Sequence, residues 1–399
     1  MQVKIEKYDD LGRGIAYLNG KVLFVPKTVP GDIVEIAVIN DKKNFSECQV
    51  LKYIEYSPER INSSCPYFDS CGGCDFLNVK YENSLNYKVN KVKEIFNKNG
   101  ISINPKVVLS SQNLFYRNKI TLKVQNGKLG YFKNNSHDLV EIDKCIIASN
   151  AINSMIPYIK KFNILNGNVT IRSNQNEEIL LVIESYDNLN ININEIKKNI
   201  KLVGIVINNR LFYGVDFLNE NINDLNYRIS YDSFFQINPR VAQILFNTID
   251  ENIDVNDNVL DIYCGVGTLS LSAAKKAKQV VGIEIVKNAI FNAKFNAKIN
   301  NIQNTEFILG DASNIKFSKY NNFNKVIVDP PRSGLTNSVI STILKINPEE
   351  IIYVSCDPQT LVRDIKILSA NYVIKDSFVL DMFCYSYHVE TIVILNKIV

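Results

Sequence analysis

From Val241 onward, short apolar runs alternate with helical stretches, and this alternation limits the fold more than any other feature of the chain. The runs are "NVLDIY", "QVVGIEI", "KVIVDP", "IIYVSC" and "TIVIL". Strands apolar on nearly every residue have no face to give to water, so they predict a parallel sheet covered by helices on both sides. The earlier residues read differently. Residues 1–57 hold short strands and glycine turns, which a small closed barrel would bury. Residues 58–230 hold a cysteine cluster, a helix near 78–100 and then mostly strands. Among these, "ITLKVQNGKLGYF" reads as a hairpin turning at Asn126-Gly127. The expected division is 1–57, 58–230 and 231–399, with the helix near 78–100 able to pack on the third part.

No apolar run approaches membrane-spanning length, and "MQVKIEKYDD" is not a signal peptide, so the cytoplasm and no membrane partner are expected. A net charge of +4 is compatible with a nucleic-acid partner without arguing for one. Eight cysteines in a cytoplasmic chain suggest metal binding or catalysis more than disulfides. In the helix, Leu77, Leu85, Val89, Val92 and Phe96 recur at helical spacing and Gly100 is the stop. Five lysines against two acids between Asn78 and Asn99 read as a solvated face.

"NVLDIYCGVGTLSLSAA" is a strand, a glycine turn and a helix, with Asp261 ending the strand. Gly265 and Gly267 would let a ligand approach the backbone. Glu284, nineteen residues beyond Gly265, ends the next strand where a carboxylate can accept from ribose hydroxyls. The third glycine of the dinucleotide fingerprint is missing, which suits an adenosyl ligand without phosphates. Asp311, after the following strand, is placed for the adenine edge or for a helix N-cap. Asp329 in "VIVDPPRSGL" and Cys356 in "VSCDPQTL" also close strands, so all should share the crevice at the strands' carboxyl ends. Arg332 stands after the two prolines, where amine methylases of this layout carry an aromatic. The Cys356 thiol in that crevice suits carbon 5 of a pyrimidine, which is too weak a nucleophile alone. Thiolate addition at C6 activates C5, and a base then removes the C5 proton. His388 and Glu390, just before the last strand, are candidates for that base.

"SFFQINP", "DIYCGVGT", "VDPPRSGL", "YVSCDPQTL" and "HVET" resemble, in order across about 160 residues, the motifs of the RNA uracil-5-methyltransferases. The resemblance implies a Rossmann-like class I methyltransferase domain using S-adenosylmethionine to make 5-methyluridine. It implies Cys356 as nucleophile and Glu390 as base, and places Gln236, Tyr263, Glu284, Asp311 and Asp329 at the cofactor. Gln236 and Asp329 would also lie near the uracil, and Arg332 matches an arginine important to activity. Two residues depart from the family pattern: Asp357 where Asn is common, and Cys384-Tyr385 where Pro and a polar residue are frequent.

Cys65, Cys71 and Cys74 form a C-x₅-C-x₂-C run, and Cys145 is the best fourth ligand. Spacing alone leaves zinc and iron–sulfur both open. The resemblance favours a [4Fe–4S] cluster in a β-rich central domain, and likens "GRG" and "VPGDIVE" to an N-terminal TRAM domain, an OB-like RNA-binding barrel. Cys48, Cys264 and Cys384 read as packing residues. A paired uracil hides C6, so the base must be unpaired or flipped, with Phe234 or Phe235 stacking on it. Phosphate contacts are expected from the barrel, the lysine-rich helix and Arg332. The expected enzyme is a monomeric 23S rRNA (uracil-C5)-methyltransferase. Its rivals are a tRNA (uracil-C5)-methyltransferase, an RNA cytosine-C5 methyltransferase, disfavoured because "DPPRSGL" lacks a cysteine, and a non-catalytic redox-sensing RNA-binding protein.

Overall fold

The computed structural model describes residues 1–313 and 322–398. The first strands form a six-stranded sheet in the order Gln2–Lys4, Ile33–Asp41, Phe45–Glu55, Lys21–Val25, Gly14–Leu18, Lys7–Tyr8. Its two edge strands are joined by two residues of chain, so the edges stay close and the sheet curls around Val3, Ile5, Leu23, Val25, Val34 and Ile36. A seven-stranded sheet follows, from Leu139–Glu141 at one edge to Arg210–Gly214 at the other. Helices Asn150–Ile159 and Ile193–Lys197 cover one of its faces. Asn126 and Gly127 turn its hairpin with φ of 51° and 76°, the left-handed geometry that a tight two-residue turn requires.

The remaining sheet has eight strands, ordered Thr305–Leu309, Gln279–Glu284, Asn258–Ile262, Lys325–Val328, Glu350–Ser355, Glu390–Lys397, Tyr372–Leu380, Lys106–Val108. Side chains alternate between two cores. Val259, Ile327, Ile352, Val354 and Ile392 face helices Pro239–Glu251, Thr268–Ala274 and Lys287–Ile299. Leu260, Val326, Ile351, Tyr353 and Val393 face helices Tyr81–Lys98, Asn337–Ile346 and Pro358–Leu368. Three pieces from the stretch 58–230 thus pack with this sheet. They are the helix Tyr81–Lys98, the edge strand Lys106–Val108 and the hairpin Phe217–Ile222/Leu225–Ser230.

Two expectations need correction. "TIVIL" reads as one more parallel strand, but Glu390–Lys397 runs antiparallel to both neighbours. Residues 381–389 alone join it to Tyr372–Leu380, too little chain for a crossover. The lysine-rich helix is also not uniformly solvated. Lys88 is 1% exposed and pairs at 2.6 Å with the fully buried Asp381, while Lys91 donates to the carbonyls of Asp10 and Tyr387. Lys88 is thus shut inside the fold and not open to phosphates as expected, while Lys91 is partly buried. Among the described residues, no helix is long and apolar enough to cross a membrane.

Candidate active site

The antiparallel last strand decides the geometry. Ser355 pairs with Thr391, and Leu380 with Glu390. Cys356, one residue past the end of its strand, therefore lies across from Glu390 at the start of its own. Strand alternation puts Asp261, Asp329, Cys356 and Glu390 on the face of Val259, Ile327, Val354 and Ile392. The turn after Cys356 is fixed by Asp357, whose carboxylate accepts from the backbone N–H groups of Gln359 and Thr360 at 2.9 and 3.2 Å. Aspartate thus supplies the helix cap that asparagine would supply.

Burial dominates the electrostatics. It pushes the Cys356 thiol up to about 11, with Glu390 and Asp329 adding to the rise and Arg332 opposing it. Burial also raises Asp329, to about 7. Glu390, 3% exposed, is raised well above the ordinary carboxylate range by burial and then by Asp329. Two carboxyls in one dry crevice cannot both ionise cheaply, so burial and mutual repulsion push both upward. Arg332 contacts both ring nitrogens of His388, at 3.2 and 3.1 Å. Burial, then Arg332, pushes that imidazole down to about 3, so it stays neutral.

Beside this pair lies the glycine turn. Gly265 has φ 54° with open space where a Cβ would sit, whereas Gly267, at φ 86°, is packed against Phe307 and Ala293. Tyr263 precedes them at φ 69°, an uncommon conformation for a bulky residue. Glu284 reaches back to accept from the Gly265 N–H at 3.2 Å. Asp311 is exposed and accepts from the Ser313 N–H at 2.9 Å, which makes it a turn cap. Gln236 is buried, its carbonyl held by Asn118. Asp261, wholly buried, takes the Ser270 hydroxyl at 2.5 Å, and its Oδ1 has no hydrogen-bond partner among the described residues. That orphan, beside an open glycine turn, fits a site built for a polar ligand.

The expected stacking residue is corrected. Phe235 is 6% exposed and packs against Tyr227 in the core, so it does not face a substrate. Phe234 is 68% exposed, so of the two only it offers a ring to the surface. The two are adjacent in sequence, and hydrophobicity could not tell which one points out.

Cys65, Cys71, Cys74 and Cys145 line a single cavity of about 420 Å³. Gly72 permits the tight wrap: its N–H donates to the Phe132 carbonyl at 3.0 Å, and a Cβ would meet that oxygen at 2.8 Å. Burial raises the thiols of Cys65, Cys71 and Cys74. Among the described residues, no group of three or more His, Cys, Asp or Glu side chains could hold a metal ion. Four thiols on one cavity are the soft donor type that zinc and iron–sulfur clusters both take. Cys48, Cys264 and Cys384 are buried packing residues.

A family model described as tRNA (Uracil-5-)-methyltransferase matches residues 80–398, and a TRAM domain model matches residues 1–51. An uncharacterized RNA methyltransferase of Fusobacterium nucleatum is 37% identical, over 100% of this chain and 96% of that protein. Another, of Halalkalibacterium halodurans, is 31% identical over 99% and 96%. The Pyrococcus abyssi tRNA (uracil-54, C5)-methyltransferase, solved in complex with S-adenosyl-L-homocysteine, matches 99% of both chains. Its TM-score is 0.83, at 27% identity.

Proposed function

The chain belongs to the tRNA (uracil-5-)-methyltransferase family and is an S-adenosylmethionine-dependent RNA methyltransferase, and from this premise we propose that it methylates uracil C5 through covalent attack by Cys356. The observation that carries the reading is the placement of Cys356, Glu390 and Asp329 on one sheet face beside the glycine turn. Gln236, Tyr263, Glu284, Asp311 and Asp329 would hold the cofactor, with the unpartnered Asp261 Oδ1 facing the same need. When bound, S-adenosylmethionine supplies an electrophilic methyl group.

In the first half-reaction, Cys356 gives up its proton to solvent and its sulfur adds to uracil C6. The C5=C6 electron pair moves toward O4, so that C5 becomes nucleophilic and can take the methyl group. Asp329 and Gln236 hold the polar edge of the base, and Phe234 holds its face. In the second, Glu390 takes the C5 proton. The C5–H pair rebuilds the double bond, and the C6–S pair leaves with the sulfur. Arg332 sits beside the thiol to offset the two carboxyls.

The combination of barrel and four-cysteine site leans toward 23S rRNA as substrate, for an enzyme acting as a monomer in the cytoplasm. The likeness to the Pyrococcus tRNA enzyme favours transfer RNA as a second reading. Unmodified 23S rRNA and tRNA, each incubated with protein and labelled S-adenosylmethionine, separate them by which one yields 5-methyluridine on nucleoside mass spectrometry. Label only in tRNA would move the substrate, and label in cytosine would overturn the uracil assignment.

The four cysteines are proposed to hold a [4Fe–4S] cluster, supported by four soft donors around one cavity. No step of methyl transfer needs an electron, so its part is to set the loop that binds it. Anaerobic reconstitution should load iron and sulfide in equal amounts, and Cys74→Ser and Cys145→Ser should each lose both. Stoichiometric zinc without sulfide would contradict this.

A further inference from the structure

The loop 381–389, which delivers Glu390, is held mainly by residues far away in sequence. At its start, Lys88 from the helix Tyr81–Lys98 pairs with Asp381 at 2.6 Å and donates to the Phe383 carbonyl at 2.8 Å. In its middle, the Tyr116 hydroxyl reaches the Cys384 carbonyl at 3.3 Å. The tightest grip comes from the cysteine-bearing segment. The backbone N–H groups of Asp75 and Phe76 both donate to the Tyr385 carbonyl, at 2.8 and 3.0 Å. The Asp75 carboxylate in turn accepts from the Tyr387 N–H at 3.0 Å. Between these contacts Tyr385 has φ 60°, a conformation that a tyrosine keeps only when its surroundings impose it. Tyr387 then lies against His388, ring centroids 4.0 Å apart, and Glu390 follows.

Asp75 directly follows Cys74, and Lys27 of the barrel clasps the carbonyls of Cys71 and Cys74. A continuous set of contacts therefore runs from the cysteine loop through Asp75 to the strand that begins with Glu390. None of these contacts involves Cys356 itself, whose strand meets the set only through its pairing with the last strand. The thiol is positioned by its own strand and by the Asp357 cap. A disturbance at Asp75 should thus displace the base and leave the nucleophile in place.

We infer that Asp75 is a positioning residue for the deprotonation step, bracketing Tyr385 and Tyr387 so that Glu390 stands where the C5 proton will be. This rests on the reading of Glu390 as the base. It gives the cysteine segment a mechanical role beside a reaction that transfers no electron. Proton abstraction is sensitive to displacements of a fraction of an ångström, whereas binding of a large RNA is not.

The test compares Asp75→Ala with Asp75→Asn, whose amide oxygen can still accept from the Tyr387 N–H. The substrate is in vitro-transcribed 23S rRNA, or tRNA if that is the RNA methylated. Asp75→Ala should lower kcat by about tenfold, with KM changed by less than about twofold, from loss of one partly buried hydrogen bond and of alignment. A denaturation-resistant protein–RNA adduct should accumulate during its turnover, and Asp75→Asn should restore most of the rate. With 5-fluorouridine RNA, Asp75→Ala should form its dead-end adduct at the wild-type rate, which shows the thiol site to be folded. Loss of that adduct, equal damage in both variants, or an unchanged rate would each overturn the inference. Glu390→Gln runs in parallel. Accumulation there without accumulation in Asp75→Ala refutes the role of Asp75 alone, and no accumulation in Glu390→Gln refutes the base assignment and the inference with it.

Discussion

Cys356→Ala protein is expected to make no 5-methyluridine above background and to form no covalent RNA complex, while still binding S-adenosylmethionine. The size of the loss follows from the chemistry. Uracil C5 does not attack a methyl group unassisted, so no weaker route remains once the thiol is gone. Glu390→Gln should behave differently. Its thiol can still add and C5 can still accept the methyl group, but the C5 proton has no acceptor, so turnover should fall by about 10²–10⁴-fold. The two variants should separate in a single gel. Cys356→Ala gives neither product nor adduct, and Glu390→Gln gives adduct without product. Product from Cys356→Ala at even a hundredth of the normal rate would require another nucleophile. Cys384 and Cys264, the cysteines nearest in sequence to the proposed machinery, are both packed in the core.

The second large effect concerns stability. Lys88 and Asp381 form an ion pair 1% and 0% exposed, between the helix Tyr81–Lys98 and the loop that delivers the base. Asp381→Ala would leave the ammonium buried with, among the described residues, only the Phe383 carbonyl as a hydrogen-bond partner. Removing one partner of such a pair costs about 3–5 kcal/mol, a large share of the stability of a domain. Urea unfolding should show that loss. The double replacement Lys88→Met with Asp381→Leu, which removes both charges, should recover most of it. A cost below about 1 kcal/mol for Asp381→Ala would mean that water reaches the pair and that it behaves like an exposed one.

The difference between what the sequence disclosed and what it concealed has a physical basis. The strands, the glycine turn and the Asn126-Gly127 hairpin follow from local signals, so they could be read residue by residue. Cys356 was legible because a strand end is visible in the apolar pattern. Its partner was not placed by the same means. Glu390 meets Cys356 only because the last strand runs backward, and strand direction is a property of the loop length and the neighbours. Lys88 looked like one more charge on a solvated helix, since its carboxylate lies 293 residues away. Asp75 gave no signal at all. It stands next to a conspicuous cysteine, and its partner Tyr387 is 312 residues distant. Phe234 and Phe235 are equally apolar, and the chain leaves a strand just before them, so alternation gave no rule for which would be buried. The three residues of Lys106–Val108 were too few to show a period, although they extend the main sheet.

The most direct measurement uses RNA containing 5-fluorouridine, incubated with S-adenosylmethionine and the intact protein, digested and sequenced by mass spectrometry. Fluorine cannot leave C5 as a proton does, so the reaction should stop with the methylated base still joined through C6 to sulfur. A single peptide spanning Val354–Asp364, carrying the methylated fluorouridine on Cys356, is the expected result. A bond at any other residue, or methylated RNA with no adduct, would contradict covalent catalysis by Cys356.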